Sequence, residues 1–209
     1  MSLTQEIFEE QISSVAICNE PGEMSVLQNH DVSATICQRN MPDGFQNWLD
    51  HLPERKLPSA RVLTRVTDLN GTITAICNSV HVPYSAHRRF LINDATMLAE
   101  QFASMMKVDV LRIRFDVVKD NACRKFHTDA VKARLVCTYR GPGTEFGMAV
   151  NGVDPQQVFS VPTGSPMVLR GSLWPEVPRS GLVHRSPPIE GENIIRLVLV
   201  IDPIFDEAE

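Results

Sequence analysis

DVLRIRFDVVKDNACRKFHTDAVKARLVCTYRGPG, residues 109–143, is the stretch on which the fold turns. It contains three strand-like runs, 109–118, 123–129 and 132–139, and closes in a Gly141-Pro-Gly143 turn. Four further runs follow, at 157–161, 166–170, 181–185 and 194–201, with turn chemistry at Pro162-Thr-Gly164 and Ser186-Pro-Pro188. Short strands at this spacing predict a sandwich or barrel rather than alternating strand–helix units.

Upstream the pattern changes. Residues 93–107 predict a helix capped by Asn93 or Asp94, with Ala95, Leu98, Ala99, Phe102 and Met106 forming one apolar face. Residues 45–52 are helical in period, 14–18 and 32–37 predict short strands, and 3–13 a short helix. The β-branched runs 61–66 and 72–82 suit either state, and the acidic tail 206–209 is expected to be solvated. Helices first and strands later predict an α+β chain with a jelly-roll-like double sheet as its core. The expected division is an N-terminal mixed segment, 1–90, packing on a β-barrel unit, 91–209, in one compact domain.

Composition narrows the function classes. The net charge is −5 and the pI about 5.7, with 43% apolar and 22% charged residues. That is globular composition, with no clustered Lys and Arg for nucleic acid and no apolar run of membrane-spanning length. Five scattered cysteines and the absence of a signal-peptide layout predict a reducing, cytoplasmic setting.

The chemistry concentrates in Phe126-His127-Thr128-Asp129. On a strand, His127 and Asp129 project from one face and can reach a common ion at roughly 2.0–2.2 Å. His184, on a late strand, is the candidate third ligand. Two imidazoles and one carboxylate form the facial set that leaves coordination positions open, as in non-haem Fe(II) oxygenases. An isolated H-x-D is common, and the version without metal has His127 and Asp129 merely hydrogen-bonded. Arg196 lies in a run apolar on both faces, IIRLVLVI (194–201), so its buried guanidinium needs a partner. Either an internal acid or the carboxylate of a small-molecule co-substrate serves. Cys123 shares parity with His127 and Asp129 and is a possible thiolate ligand, although a buried free cysteine is the plainer reading. His30, His51, His81 and His87 have no ligand-spaced neighbours, and Ser186 has no base beside it to make it a nucleophile.

Two stretches, CRKFHTDAVKARLVCTYRGPGTEF (123–146) and GLVHRSPPIEGENIIRLVLVID (181–202), resemble a family of bacterial proteins catalogued as domain of unknown function 1826. The family has no established activity. Its genes occur beside zinc-handling metallochaperone GTPases, so the resemblance implies a functional link to them and a role in zinc homeostasis or scarcity. A looser resemblance is to the Fe(II)/2-oxoglutarate oxygenases, whose H-x-D, distal His and following basic residue correspond to His127, Asp129, His184 and Arg196. That resemblance implies a double-stranded β-helix (cupin-like) core, Fe(II) as metal and 2-oxoglutarate bound through Arg196. Arg196 is spaced slightly long for the pattern, and Arg134 is a competing basic group. The leading expectation is therefore an Fe(II)-dependent oxygenase that binds a small-molecule ligand, with no substrate legible in the sequence. The alternatives are a closed Zn(II) site for storage, sensing or delivery, and a cupin-like isomerase or hydrolase using the metal as a Lewis acid.

Overall fold

A computed structural model describes residues 14–175 and 181–205 of the chain. The helix expected at 3–13 and the tail 206–209 lie outside the described residues. The strands are β1 (Val15–Cys18), β2 (Ala34–Cys37), β3 (Ala60–Arg65), β4 (Val110–Val118), β5 (Ala133–Arg140), β6 (Glu145–Met148), β7 (Phe159–Ser160), β8 (Pro166–Arg170), β9 (Leu182–Arg185) and β10 (Arg196–Ile204). The α-helices are α1 (Phe45–Asp50), α2 (Leu69–Ser79) and α3 (Ala86–Met106).

Seven strands form one sheet in the order β1-β2-β8-β5-β10-β4-β3, and three form a second, β7-β6-β9. The chain is thus mixed α and β with one large sheet. Residue 90 lies inside α3, and β1, β2 and β3 hydrogen-bond into the same sheet as the later strands.

Alternation along the central strands explains the layering. Leu111, Ile113 and Phe115 of β4, with Leu197, Leu199 and Ile201 of β10, are buried in the cluster that also takes in α2 and α3. The intervening residues, among them Arg114, Arg134, Arg196, Val198 and Val200, face the other way and line a cavity. The small sheet covers part of that side, its Phe146 and Leu182 packing with Ala34, Ile36, Met167 and Leu169 of the large one. A strand apolar on both faces, as read for 194–201, is therefore one whose two faces meet different apolar layers.

Three expectations are corrected. The helix expected at 93–107 begins at Ala86, because Ser85 accepts a hydrogen bond from the Arg88 backbone N–H and caps it about two turns earlier. Asp94 is no cap: it is a buried residue in the helix interior, accepting from Arg39 Nη2 at 2.8 Å and from the Tyr139 hydroxyl. The run 123–129 is not a strand; only His127 makes a bridge there. Of the ambiguous segments, 60–65 is strand and 69–79 helix.

The Arg39–Asp94–Tyr139 cluster joins α3 to β5 and to the segment after β2. Removing one member leaves a buried charge uncompensated. Asp94→Ala is expected to cost about 3–5 kcal/mol of stability, read as a lowered denaturation midpoint in urea, whereas substitution at the exposed Arg89 one turn away leaves the midpoint unchanged.

Candidate metal centre

His127 and His184 sit directly opposite each other across an isolated antiparallel bridge, each backbone N–H donating to the other's carbonyl at 3.0 Å. Residues so paired project side chains to one face, and the two rings stand 4.5 Å apart between centroids. His184 belongs to β9, so the bridge adds the otherwise irregular 123–129 segment to the edge of the small sheet.

Asp129 reaches the same point from a loop. Its backbone carbonyl accepts from Ser172 N–H at 2.8 Å. The adjoining Gly171 has no room for a side chain, since a Cβ there would lie 2.0 Å from the Val131 oxygen and 2.7 Å from that of Asp129. The Asp129 carboxylate then lies with Oδ2 3.2 Å from His184 Nε2 and Oδ1 3.6 Å from His127 Nε2.

These spacings suit a shared ion. Ligand atoms about 2.0–2.2 Å from a metal and roughly at right angles stand about 3 Å from one another. One ligand atom from each of the three residues falls within 4.8 Å of the others. The local hydrogen bonding leaves the right atoms free. His127 Nδ1 is 2.8 Å from the Lys125 carbonyl, which holds the proton on that nitrogen and turns Nε2 toward the cluster. Asp129 Oδ1 accepts from Arg134, but Oδ2 is buried with no hydrogen-bond partner. Buried beside two imidazole nitrogens, with His184 Nε2 3.2 Å away and no hydrogen bond made to it, that oxygen is placed to serve as a ligand atom.

Electrostatics agree. Burial alone would raise the Asp129 carboxyl, but the facing His127 and His184 rings and the Arg134 guanidinium outweigh it and hold the group well below the usual carboxylate range. Asp129 in turn raises His127 above its ordinary value, against the effect of partial burial. Arg134 spans two carboxylates, Asp129 and Asp202, donating to the latter at 2.6 and 3.0 Å. The sequence flagged Arg134 only as a rival to Arg196; it is the group that orients a candidate ligand.

Arg196 shares the cavity. It is 1% exposed, and its guanidinium donates to the Pro142 carbonyl at 2.7 Å, the Ser186 hydroxyl at 3.0 Å and the Thr138 hydroxyl at 3.3 Å. Among the described residues no carboxylate bonds it. Burial pushes it down to about 10, with Glu145 opposing, so it stays charged at neutral pH. Ser186, dismissed as a nucleophile, is a neighbour of this cation. The cavity measures about 200 Å³, with His127, Asp129, His184 and Arg196 in one lining and Val136, Val198 and Val200 beside them. A larger groove of about 750 Å³ beside residues 148–159 contains none of these groups.

Other candidates stay outside. Cys123 borders the cavity but is exposed, not buried as expected, and is not in the ligand cluster. The strand parity that linked it to His127 is absent. Cys137 is buried, as expected. His30 is exposed beside Asp31, His51 bonds the Asn47 carbonyl, and His87 packs by Phe45 and Trp48.

The sequence model of one family, described as "Protein of unknown function (DUF1826)", matches residues 18–202. The chain belongs to that family. No curated protein matches it in sequence. Among solved structures, the DUF1826 chain is similar to a rice dioxygenase for auxin oxidation at 12% identity, covering 91% of this chain and 82% of that one, with a TM-score of 0.50. It is also matched to dioxygenase for auxin oxidation 1 of Arabidopsis thaliana, in a complex with 2-oxoglutarate, at 10% identity, 92% coverage of each chain and a TM-score of 0.49. At such identities the rice enzyme speaks to the fold alone. Among the described residues, no helix is long and apolar enough to cross a membrane.

The raised His127 gives a pH expectation. Its contribution to stability holds fully below about pH 6.5, the unfolded value, and fades as the pH rises through the folded one. Asp129 works in the opposite sense, contributing above about pH 3.9 and losing that contribution as the pH falls through its depressed value. NMR titration without metal is expected to give His127 a midpoint above about 6.5, moved down by Asp129→Asn. An unshifted His127 in the parent protein contradicts the pairing.

Proposed function

We propose that this chain is an Fe(II)- and 2-oxoglutarate-dependent oxygenase, its two facing sheets forming a double-stranded β-helix of that type. The observation that carries the reading is Arg196: a cation buried in the wall of the same cavity as His127, Asp129 and His184, hydrogen-bonded only to neutral oxygens. A desolvated charge without a counter-ion is costly, and a carboxylate entering the cavity relieves that cost.

On this reading His127, Asp129 and His184 would hold the metal, one ligand atom from each. Iron and the oxo acid, when bound, supply the oxygen-activating chemistry. The chain's own contribution is binding and orientation. Arg134 keeps Asp129 deprotonated and fixes its rotation. The Lys125 carbonyl keeps His127 in the tautomer whose Nε2 is free. Arg196, with the Ser186 hydroxyl beside it, takes the distal carboxylate of 2-oxoglutarate, and Val136, Val198 and Val200 keep water from that wall. The fold likeness to a dioxygenase supports the reading as analogy only. A closed zinc site needs a fourth protein ligand, and Cys123, the candidate for it, stands apart from the cluster.

Anaerobic calorimetry tests this directly. The Fe(II)-loaded protein is expected to bind 2-oxoglutarate, and Arg196→Met to weaken that binding by about 1.5–3 kcal/mol, roughly ten- to a hundredfold. Asp129→Asn is expected to lower Fe(II) affinity by about tenfold or more, because an amide is a poorer ligand of nearly the same shape. Absence of heat with the loaded parent protein, or equal metal retention by Asp129→Asn against a chelator, would overturn the proposal.

A further inference from the structure

The sequence has no basic run, yet the fold assembles one. β3 and β4 pair so that Arg61 lies opposite Arg114, Leu63 opposite Arg112 and Arg65 opposite Val110. Directly paired residues of an antiparallel ladder share a face, so the four arginines and Leu63 lie on one side of the sheet. It is the cavity side: Arg114 and Asp116 of β4 line the cavity, while Thr64 on the other side bonds Thr72 of α2. Arg61, Leu63 and Arg65 are exposed, Leu63 to 61%.

This arrangement is unfavourable on its own. Arg61 and Arg114 are like charges directly opposite, which destabilises a ladder. The acid nearest Arg114 is Asp116, 3.2 Å from its Nε, yet that Nε makes no hydrogen bond. Arg61, Arg65 and Arg112 form no ion pair among the described residues. The whole chain carries −5, so this cluster of arginines stands against an acidic background.

We infer that the β3–β4 face is a docking surface for an extended acidic polypeptide segment of a partner protein. Three observations select that occupant. Among the described residues β3 is the last strand of its sheet, with no strand paired on its outer edge, to which an extended segment can add. Arg61, Leu63 and Arg65 recur at a period of two, so an added strand brings alternate side chains opposite them: acidic, apolar, acidic. Neither strand exposes an aromatic side chain on this face, so the stacking platform that single-stranded nucleic acid uses is missing. The surface runs from Arg61 through Arg114 to the cavity wall, but the docking does not depend on the metal reading.

Fluorescence anisotropy at low ionic strength, with the full chain free of metal, tests it. The probe is a fluorescein-labelled peptide of alternating glutamate and threonine with one central leucine. Saturable binding is expected, weakened at least tenfold in Arg61→Glu/Arg65→Glu, less in the milder Arg65→Gln, and unchanged in Arg89→Glu on α3. No binding by the parent chain, or an equal loss in Arg89→Glu, overturns the surface. Oligothymidylate of the same charge binding as tightly overturns the choice of a polypeptide. Binding that appears only after residues 206–209 are deleted overturns the partner and assigns the face to the chain's own acidic tail.

Discussion

The two backbone hydrogen bonds between His127 and His184 are the constraint from which the rest of the site follows. They bring together residues 57 positions apart (184 minus 127) and oblige both imidazoles to leave the small sheet on one side. Once that bridge forms, Asp129 needs only a short loop to arrive beside both rings, and Gly171 provides the gap through which the loop backbone passes. A side-chain cluster built on backbone pairing is held in place by interactions that need no bound ion, and a candidate ligand set so held is preorganised.

Charge is distributed over the cavity in a consistent way. Arg134 is saturated by Asp129 and Asp202, and Arg185 by Glu145, to which its Nε donates at 2.7 Å. Arg196 alone among these three receives only neutral acceptors. Two guanidiniums thus serve the framework, while the third is held rigidly by the Pro142 carbonyl and two hydroxyls with its charge uncompensated. Arg134, paired with carboxylates, and Arg196, paired with neutral oxygens, are the same residue type in strands of similar composition; their neighbours separate them.

The large sheet supplies the other half of the design. Because β10 alternates, Leu197, Leu199 and Ile201 go to the helical layer and Arg196, Val198 and Val200 to the cavity. A slip of one residue against β4 and β5 would carry Arg196 into the apolar layer under α2 and α3, so the burial of those leucines also enforces the orientation of the cation. The register Arg196↔Val118, Val198↔Asp116 and Val200↔Arg114 places Arg196 on the side where β4 presents Asp116 and Arg114.

Local sequence by itself determined a good deal. Turn residues and apolar runs located β4, β5, β8, β9 and β10 to within two or three positions, and the apolar stripe of α3 was legible from Ala95 to Met106. His127, Asp129, His184 and Arg196 were legible as one set because their residue types and order match a known pattern. Only tertiary structure decided how they meet. The reason first given for His127 and Asp129 sharing a face, strand alternation, does not hold; a single bridge and a loop do the work, and neither has a local periodicity to read. The start of α3 escaped because Ser85 precedes a polar first turn, and Asp94 looked like a cap because its partners, Arg39 and Tyr139, lie 55 and 45 positions away. Which face of 194–201 looks inward could not be read from a run apolar at every position but one, and the arginines of β3 and β4 become neighbours only through pairing across about fifty residues. Propensity and turn chemistry act over a few residues, whereas the meeting of ligands, the partner of a buried charge and the sign of a surface are set by which strands lie side by side.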